Sequence, residues 1–368
     1  MKSIAFSGSF DPVTNGHLWV INEALNIAEK VVVIVAQNPS KTNMFSHQLR
    51  MQMIREALSG DIKNRVQVVS TAGYVAQAAA DYGCEYLIRG SRSSADYDYE
   101  TVLSQANVNV LGGVKTLFVM PPRDLQSVSS SFVKSLIGPV GWHWHTAKFV
   151  PVNVQRELVR LKMVDIIFQG MNGGHEIDGY DVVRNDVTEV VDQVIAKYDR
   201  IGYHNYNHIL FMFQMYAHHY DFMSDAMVWN IIAHDADEDF SAAAEWTYEV
   251  CAGKVGWYVD VGKTIKVTNY FDKQARSAPL THLQRQLQCL DFAILGQPWH
   301  IYQEYAKNVR VEYPNAADAE YAEGRIKVLN QLINFDGGLF PLDAFEKYAA
   351  PAIANMQREI DLLQRNKL

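Results

Sequence analysis

Hydrophobic and polar positions change their period partway along the chain. Up to about residue 140, short apolar runs rich in β-branched residues alternate with amphipathic stretches of helical length. The apolar runs fall at 4–7, 31–36, 66–69, 86–88 and 116–119. The helical stretches fall at 17–28, 46–58, 74–82, 97–110 and 129–136. Strands spaced by helices predict right-handed βαβ crossovers, hence an α/β domain with a five-stranded parallel sheet. Ligands of such open sheets bind beyond the C-terminal strand ends, so the chemistry is expected to follow the strands. Beyond residue 155 the texture changes. Amphipathic stretches at 187–196, 208–220, 225–233, 242–251, 283–294, 301–313 and 344–363 read as helices, with Pro351 breaking or restarting the last. Strand-like runs are nearly absent there, which predicts an all-α domain. Residues 141–154 fit neither pattern and read as a linker. The predicted organisation is therefore 1–140, a linker at 141–154, and 155–368.

Composition narrows the function classes. The 368 residues suit two domains. At 48% hydrophobic and 20% charged, both halves can bury a core. A net charge of −8 excludes the electrostatic footprint of a nucleic-acid binder, though not a local basic cleft for a nucleotide. Cys84, Cys251 and Cys289 are odd in number, far apart and without a CxxC pair, so no disulfide framework is expected. No apolar run approaches the roughly 20 residues of a membrane span. No secretory leader pattern follows Met1, so a cytoplasmic protein without membrane partners is expected.

The first strand runs directly into Gly8-Ser9-Phe10-Asp11-Pro12-Val13-Thr14-Asn15-Gly16-His17, which opens a helix. Thr14 or Asn15 can cap that helix, leaving its first N–H groups and positive dipole end for an anion. Small residues at 8, 9 and 16 let a phosphate approach the backbone. His17 can donate to a phosphoryl oxygen, which suits displacement at an α-phosphate by positioning and charge stabilisation. Three further segments follow later strands: Asn38-Pro39-Ser40-Lys41 with Phe45-Ser46, Ile88-Arg89-Gly90-Ser91-Arg92 with Asp96, Tyr99 and Glu100, and Ser129-Ser130-Ser131.

These motifs, in this order, resemble the nucleotidyltransferase superfamily and, within it, the bacterial phosphopantetheine adenylyltransferases. The resemblance covers nearly all of 1–137. It implies a Rossmann-like fold and transfer of AMP from ATP to 4'-phosphopantetheine, with Mg2+ on the ATP phosphates. It implies that His17, Lys41 and Arg92 are catalytic, with Ser9, Lys41, Val75 and Arg89 on the acceptor. ATP would meet Ser9, Phe10, His17, Gly90, Ser91, Arg92, Glu100 and the segment Leu125, Gln126, Ser127, Val128, Ser129, Ser130 and Ser131. It also implies a homo-oligomer, a hexamer in that family. Nicotinamide mononucleotide is the alternative acceptor, and Lys41 with the RGxR and serine segments favours phosphopantetheine.

The helical half carries a second constellation. His204 and His208 stand at i and i+4, His234 precedes Asp235, and Asp291 ends an amphipathic stretch. Imidazoles with carboxylates suit a divalent metal that activates water, and do not choose among manganese, iron, nickel, magnesium and zinc. With Arg200, Tyr203, Glu238, Ser241, 291–296, Glu312-Tyr313 and Gly324-Arg325, the pattern resembles the HD superfamily of metal-dependent phosphohydrolases. The resemblance implies an HD-type fold, with His208, His234, Asp235 and Asp291 as ligands of a divalent transition metal. It further implies Glu238 as general base, and Arg200 and His204 on a phosphorylated small molecule. Tyr270 and Phe271 stand where a further histidine is common, which argues against a binuclear site. The chain thus reads as a bifunctional enzyme; a non-catalytic, metal- or nucleotide-binding regulatory half is the alternative. His143, His145, His218 and His219 read as structural or solvent-facing.

Overall fold

A computed structural model describes residues 1–37, 42–91, 101–102, 104–105, 108, 113–172, 180–251, 264–268, 270 and 279–365. The chain divides into two compact units, Met1–Glu157 and Leu158–Leu368.

The first unit is built on five parallel strands: β1 (Ser3–Gly8), β2 (Lys30–Ala36), β3 (Val66–Thr71), β4 (Tyr86–Gly90) and β5 (Lys115–Val119). Their order is β3-β2-β1-β4-β5. Helices α1 (Asn15–Ile27), α2 (His47–Ala57), α3 (Ile62–Arg65), α4 (Val75–Asp81) and α5 (Ser130–Leu136) connect and cover them. Val31 to Val35 are all buried, as a strand covered on both faces requires. The chain winds outward from β1 to β3 and then returns to β4 on the other side of β1. The order therefore reverses between β1 and β4, whose C-terminal ends flank a crevice. The helix expected at 97–110 falls largely outside the described residues.

Residues 141–154, read from the sequence as a linker, carry α6 (Trp142–Thr146) and the start of α7 (Val152–Asn172). Trp142 and His143 are buried, and the Asn15 N–H donates to the Phe149 carbonyl at 2.8 Å. This segment groups with the first unit. Five residues of helix are too few to show a period, so the sequence pattern missed it.

In the second unit, α8 (Tyr180–Lys197), α9 (Tyr206–His219), α10 (Asp225–Ala233), α11 (Phe240–Cys251), α12 (His282–Phe292), α13 (Trp299–Val311), α14 (Asp318–Ile333) and α15 (Ala349–Gln364) pack as helices. α9 and α10 form its centre: Ile209 to Tyr216 and Met227 to Ala233 are buried without interruption. A helix apolar on all sides belongs in a core. Pro351 stands in the first turn of α15, after a 3-10 helix at Asp343–Tyr348, so the last stretch restarts there. No described helix is long and apolar enough to cross a membrane.

His219, at the end of α9, stacks on Phe345 at 4.2 Å and meets the Tyr348 hydroxyl at 3.2 Å. Burial, then the nearby Lys347 and His218 charges, push its imidazole down from an ordinary 6.5 to about 4. The unfolded chain therefore takes up a proton below pH 6.5 that the folded chain refuses until about pH 4. Its contribution is full above pH 6.5 and is lost as the pH falls through that window. In urea titrations, His219→Phe is expected to lose less stability than wild type between pH 7 and pH 4.5; an equal loss counts against this account.

Candidate functional sites

The crevice between β1 and β4 holds a cleft of about 380 Å³. Its floor is the loop after β1. The Thr14 side chain caps α1, accepting from the His17 N–H at 3.4 Å, and the Thr14 N–H donates to His17 Nδ1 at 2.9 Å. A backbone N–H needs a lone pair, so Nδ1 carries no proton and the ring proton sits on Nε2. His17 thus presents a donor to the cleft. Phe10 adopts a positive φ of 49° and buries its ring against Phe6 and His17 at 5.3 and 5.0 Å. It supports the histidine from below, and its side chain is fully buried rather than available to a nucleotide.

Buried partners hold the loop. The Arg50 guanidinium donates to the Ser9 carbonyl at 2.6 Å. The Asp11 carboxylate accepts from the Met44 and Phe45 N–H groups at 2.9 Å each and from Lys134 at 3.1 Å. These supports were not apparent from the sequence, because their partners are 33 to 123 residues apart. A Cβ on Gly16 would stand 3.3 Å from the Val128 carbonyl, so the glycine permits close approach of the two loops.

Ser9, His17, Arg89, Gly90, Leu125, Val128, Ser129, Ser130 and Ser131 all line this cleft. Arg89 donates to the Ser7 carbonyl at 2.5 Å. Ser129 caps α5, and the Ser130 hydroxyl donates to the Pro12 carbonyl at 2.8 Å. Ser91 is buried at the end of β4, Gln126 and Ser127 are exposed, and none of these is part of the cleft wall. Val75 opens α4 and packs half-buried against the sheet core, also outside this wall. Lys41, Arg92 and Glu100 lie outside the described residues.

In the second unit, the first turn of α9, the C-cap of α10 and the last turn of α12 bring His208, His234, Asp235 and Asp291 together. The two Nε2 atoms are 3.0 Å apart. Asp235 Oδ2 lies 3.1 Å from His234 and 3.6 Å from His208, and Asp291 Oδ1 lies 3.4 Å from His208. Four ligands at about 2.0–2.2 Å around a tetrahedral ion would stand about 3.3–3.6 Å from one another. The spacings of 3.4 and 3.6 Å fall in that range and those of 3.0 and 3.1 Å lie just below it; His208, His234 and Asp291 are close enough together to hold an ion, with Asp235 beside the two imidazoles. His234 Nδ1 donates to the Ile231 carbonyl at 2.8 Å, the outer bond that orients a ligating imidazole.

The charge pattern follows from burial and pairing. Burial opposes a charge on His234, but Asp235 and Asp291 outweigh it and raise the imidazole to about 9. Burial likewise opposes charge on Asp235, yet His234 holds its carboxyl well below the ordinary range. Burial dominates at His208 and pushes it down, despite its bond to Asp291.

His204 corrects a sequence expectation. Helix α9 begins only at Tyr206, with Asn205 as its cap, so His204 and His208 do not share a helix face. The preceding turn passes through Gly202 at φ +111°, where a Cβ would meet Glu312 Cγ at 2.2 Å. That turn aims the Tyr203 and His204 N–H groups at Glu312 Oε1, at 2.7 and 2.8 Å. His204 Nδ1 also meets both Glu312 oxygens, at 3.0 and 2.9 Å. The histidine rings still approach to 5.8 Å. Glu312 was visible only as part of a motif, without a role.

Arg200 donates to the carbonyls of His204 and Asp235, the latter at 2.9 Å. It lines a polar cleft with Asp235 and the exposed Glu238. Tyr270, which the sequence marked only as a missing histidine, donates its hydroxyl to Asp291 Oδ2 at 2.7 Å. Of the histidines read as structural or solvent-facing, His143 is buried, and His145 and His218 are exposed.

Residues 5–136 match the cytidylyltransferase-like family. The phosphopantetheine adenylyltransferase of Chromobacterium violaceum is 40% identical over 161 residues, which is 44% of this chain and 98% of that protein. Its namesake from Campylobacter concisus is 36% identical over 157 residues, 43% of this chain and 97% of that protein. The one from Neisseria meningitidis serogroup C is 32% identical over 158 residues, 43% of this chain and 92% of that protein.

Proposed function

This chain belongs to the phosphopantetheine adenylyltransferase family through its N-terminal nucleotidyltransferase domain, and we propose that this domain transfers AMP from ATP to 4'-phosphopantetheine. The products are dephospho-CoA and pyrophosphate. The observation that carries this reading is the single cleft uniting Ser9, His17, Arg89 and the Ser129–131 segment at the β1/β4 switch point. His17 Nε2–H stabilises the α-phosphate as charge develops on it, and Ser9 and the serine segment hold the neighbouring phosphates. Arg89, in the wall of the same cleft, meets the acceptor phosphate with its guanidinium. The family resemblance gives Lys41 a role on the acceptor phosphate, Arg92 a catalytic role with ATP, and Glu100 a role in binding ATP. Mg2+ brought with ATP would offset the negative charge of its phosphates. Turnover of the full-length protein with ATP and each acceptor tests this. Product with phosphopantetheine is expected; product only with nicotinamide mononucleotide overturns the acceptor assignment.

For the second unit, the reading is a metal-dependent phosphohydrolase. Its support is the convergence of His208, His234 and Asp291 at a spacing that could hold an ion, with Asp235 beside the two imidazoles. His208, His234, Asp235 and Asp291 would hold a divalent metal, which supplies an activated water. Glu238, which lines the adjoining cleft with Arg200 and His204, would act as the general base, and Arg200 and His204 would hold the phosphoryl group. Bound metal without turnover across a panel of phosphoesters would favour a regulatory role instead.

A further inference from the structure

Two clefts adjoin the histidine–aspartate cluster, and their chemistry differs. The polar cleft, about 340 Å³, places Arg200 against Asp235, Asp237, Glu238 and Glu312. That wall sets one guanidinium and the His204 imidazole against four carboxylates; the guanidinium already donates to two backbone carbonyls and the imidazole already pairs with Glu312 at 2.9 Å. A polyphosphate would add several negative charges to that wall, and like charges at short range repel. The second cleft, about 240 Å³, reaches Asp291 and is lined by Tyr203, Tyr270, Phe292 and Tyr305, with Val328 and Leu332 opposite. Arg325 also lines it, but its charge is met by buried Glu359 at 2.8 and 3.2 Å. The buried Tyr203 hydroxyl has no hydrogen-bond partner among the described residues. An unmet buried hydroxyl is costly, so a ligand atom that pairs with it would be favoured. The metal ligands themselves do not require an aromatic cavity.

We propose that the aromatic cleft is the subsite for the organic part of the second unit's substrate. That substrate is a phosphomonoester with a short, uncharged arm bearing a ring or apolar segment, not a nucleoside polyphosphate. The proposal rests on the phosphohydrolase reading above. The phosphoryl group faces the histidine–aspartate cluster, while the arm packs on Tyr203 and Tyr305 and pairs with the Tyr203 hydroxyl. The volume is below the roughly 300–1,000 Å³ of sites for drug-sized ligands, so one ring or a short arm fits.

Phosphonates test this without turnover, because their P–C bond resists hydrolysis. Full-length protein is loaded with Mn2+, its metal content is measured, and calorimetry compares benzylphosphonate with methylphosphonate. Benzylphosphonate is expected to bind about 10-fold more tightly or better, from burial of the ring. Val328→Phe, which fills the cleft, should bring the ratio close to one, and the milder Val328→Met should give an intermediate ratio if the first variant folds poorly. Equimolar tripolyphosphate should leave benzylphosphonate bound. Equal affinities, a ratio indifferent to both variants, or displacement by tripolyphosphate overturns the subsite. If metal is bound when this happens, the subsite alone fails; if no metal binds, the reading of the centre fails with it.

Discussion

His17→Ala is expected to lower the rate of adenylyl transfer by roughly 100- to 1,000-fold, or about 2.7–4 kcal/mol of transition-state stabilisation. The magnitude is that of removing one preorganised donor aimed at developing negative charge. Preorganisation is visible in the ring's two faces. One nitrogen is committed to the Thr14 N–H at 2.9 Å, which fixes the tautomer, and Phe10 and Phe6 hold the plane of the ring. Nothing needs to reorganise when charge appears. The same substitution removes half of a reciprocal cap on α1, a loss of about 1 kcal/mol in stability. That loss is too small to unfold an ordinary domain. Thermal melts should therefore show a folded variant, and metal content at the second unit should be unchanged. A His17→Ala enzyme within 10-fold of wild type in kcat would remove this residue from the chemistry.

The first cleft was largely legible because its parts are local. Each motif follows a strand, and a parallel sheet gathers all C-terminal strand ends on one edge. Knowing that Gly8–His17, Arg89 and Ser129–131 follow β1, β4 and β5 nearly determines that they meet. Their supports were not legible. Arg50 beneath Ser9 and Lys134 on Asp11 depend on pairings across 41 and 123 residues, which no local period encodes.

The helical unit shows the same division. α9 and α10 were found because their apolar runs are long. α7 was missed because its buried residues, among them Val154, Leu158, Val159, Met163 and Val164, are spread around the helix and leave no single apolar face to show a period. α14 was missed for a different reason. Its buried row, Tyr321, Arg325, Leu329 and Leu332, contains a charge that only Glu359 of α15 makes tolerable. His204 shows that spacing alone misleads: four residues before His208 implied one helix, but Gly202 and the Asn205 cap begin the helix later. The histidine–aspartate cluster itself needed no shared helix, only three helix ends that converge.

Substituting His234 is expected to have the larger effect on that cluster. His234→Ala should reduce affinity for a divalent metal by on the order of 100-fold or more, since losing only an outer-shell partner costs 10- to 100-fold. The free protein also predicts how affinity depends on pH. His234 holds a proton up to about pH 9, and with Nδ1 donating to Ile231 its second proton lies on Nε2, between His208 and Asp235. A metal must displace that proton, because a ligating imidazole needs its lone pair. Affinity should therefore rise by close to tenfold per pH unit below about pH 9 and level off above it, with one proton released per metal. Asp291→Asn should weaken the metal but keep this slope, because the proton resides on His234. Mn2+ titrations from pH 6 to pH 9.5, with proton release followed in weak buffer, check both statements. A pH-independent affinity would mean that no proton on His234 is displaced, and no Mn2+ binding at any pH would mean that the four side chains form a buried ion-pair cluster and not a metal site. On the phosphohydrolase reading, hydrolysis of phosphoesters should disappear with the metal in His234→Ala, while adenylyl transfer by the first unit continues.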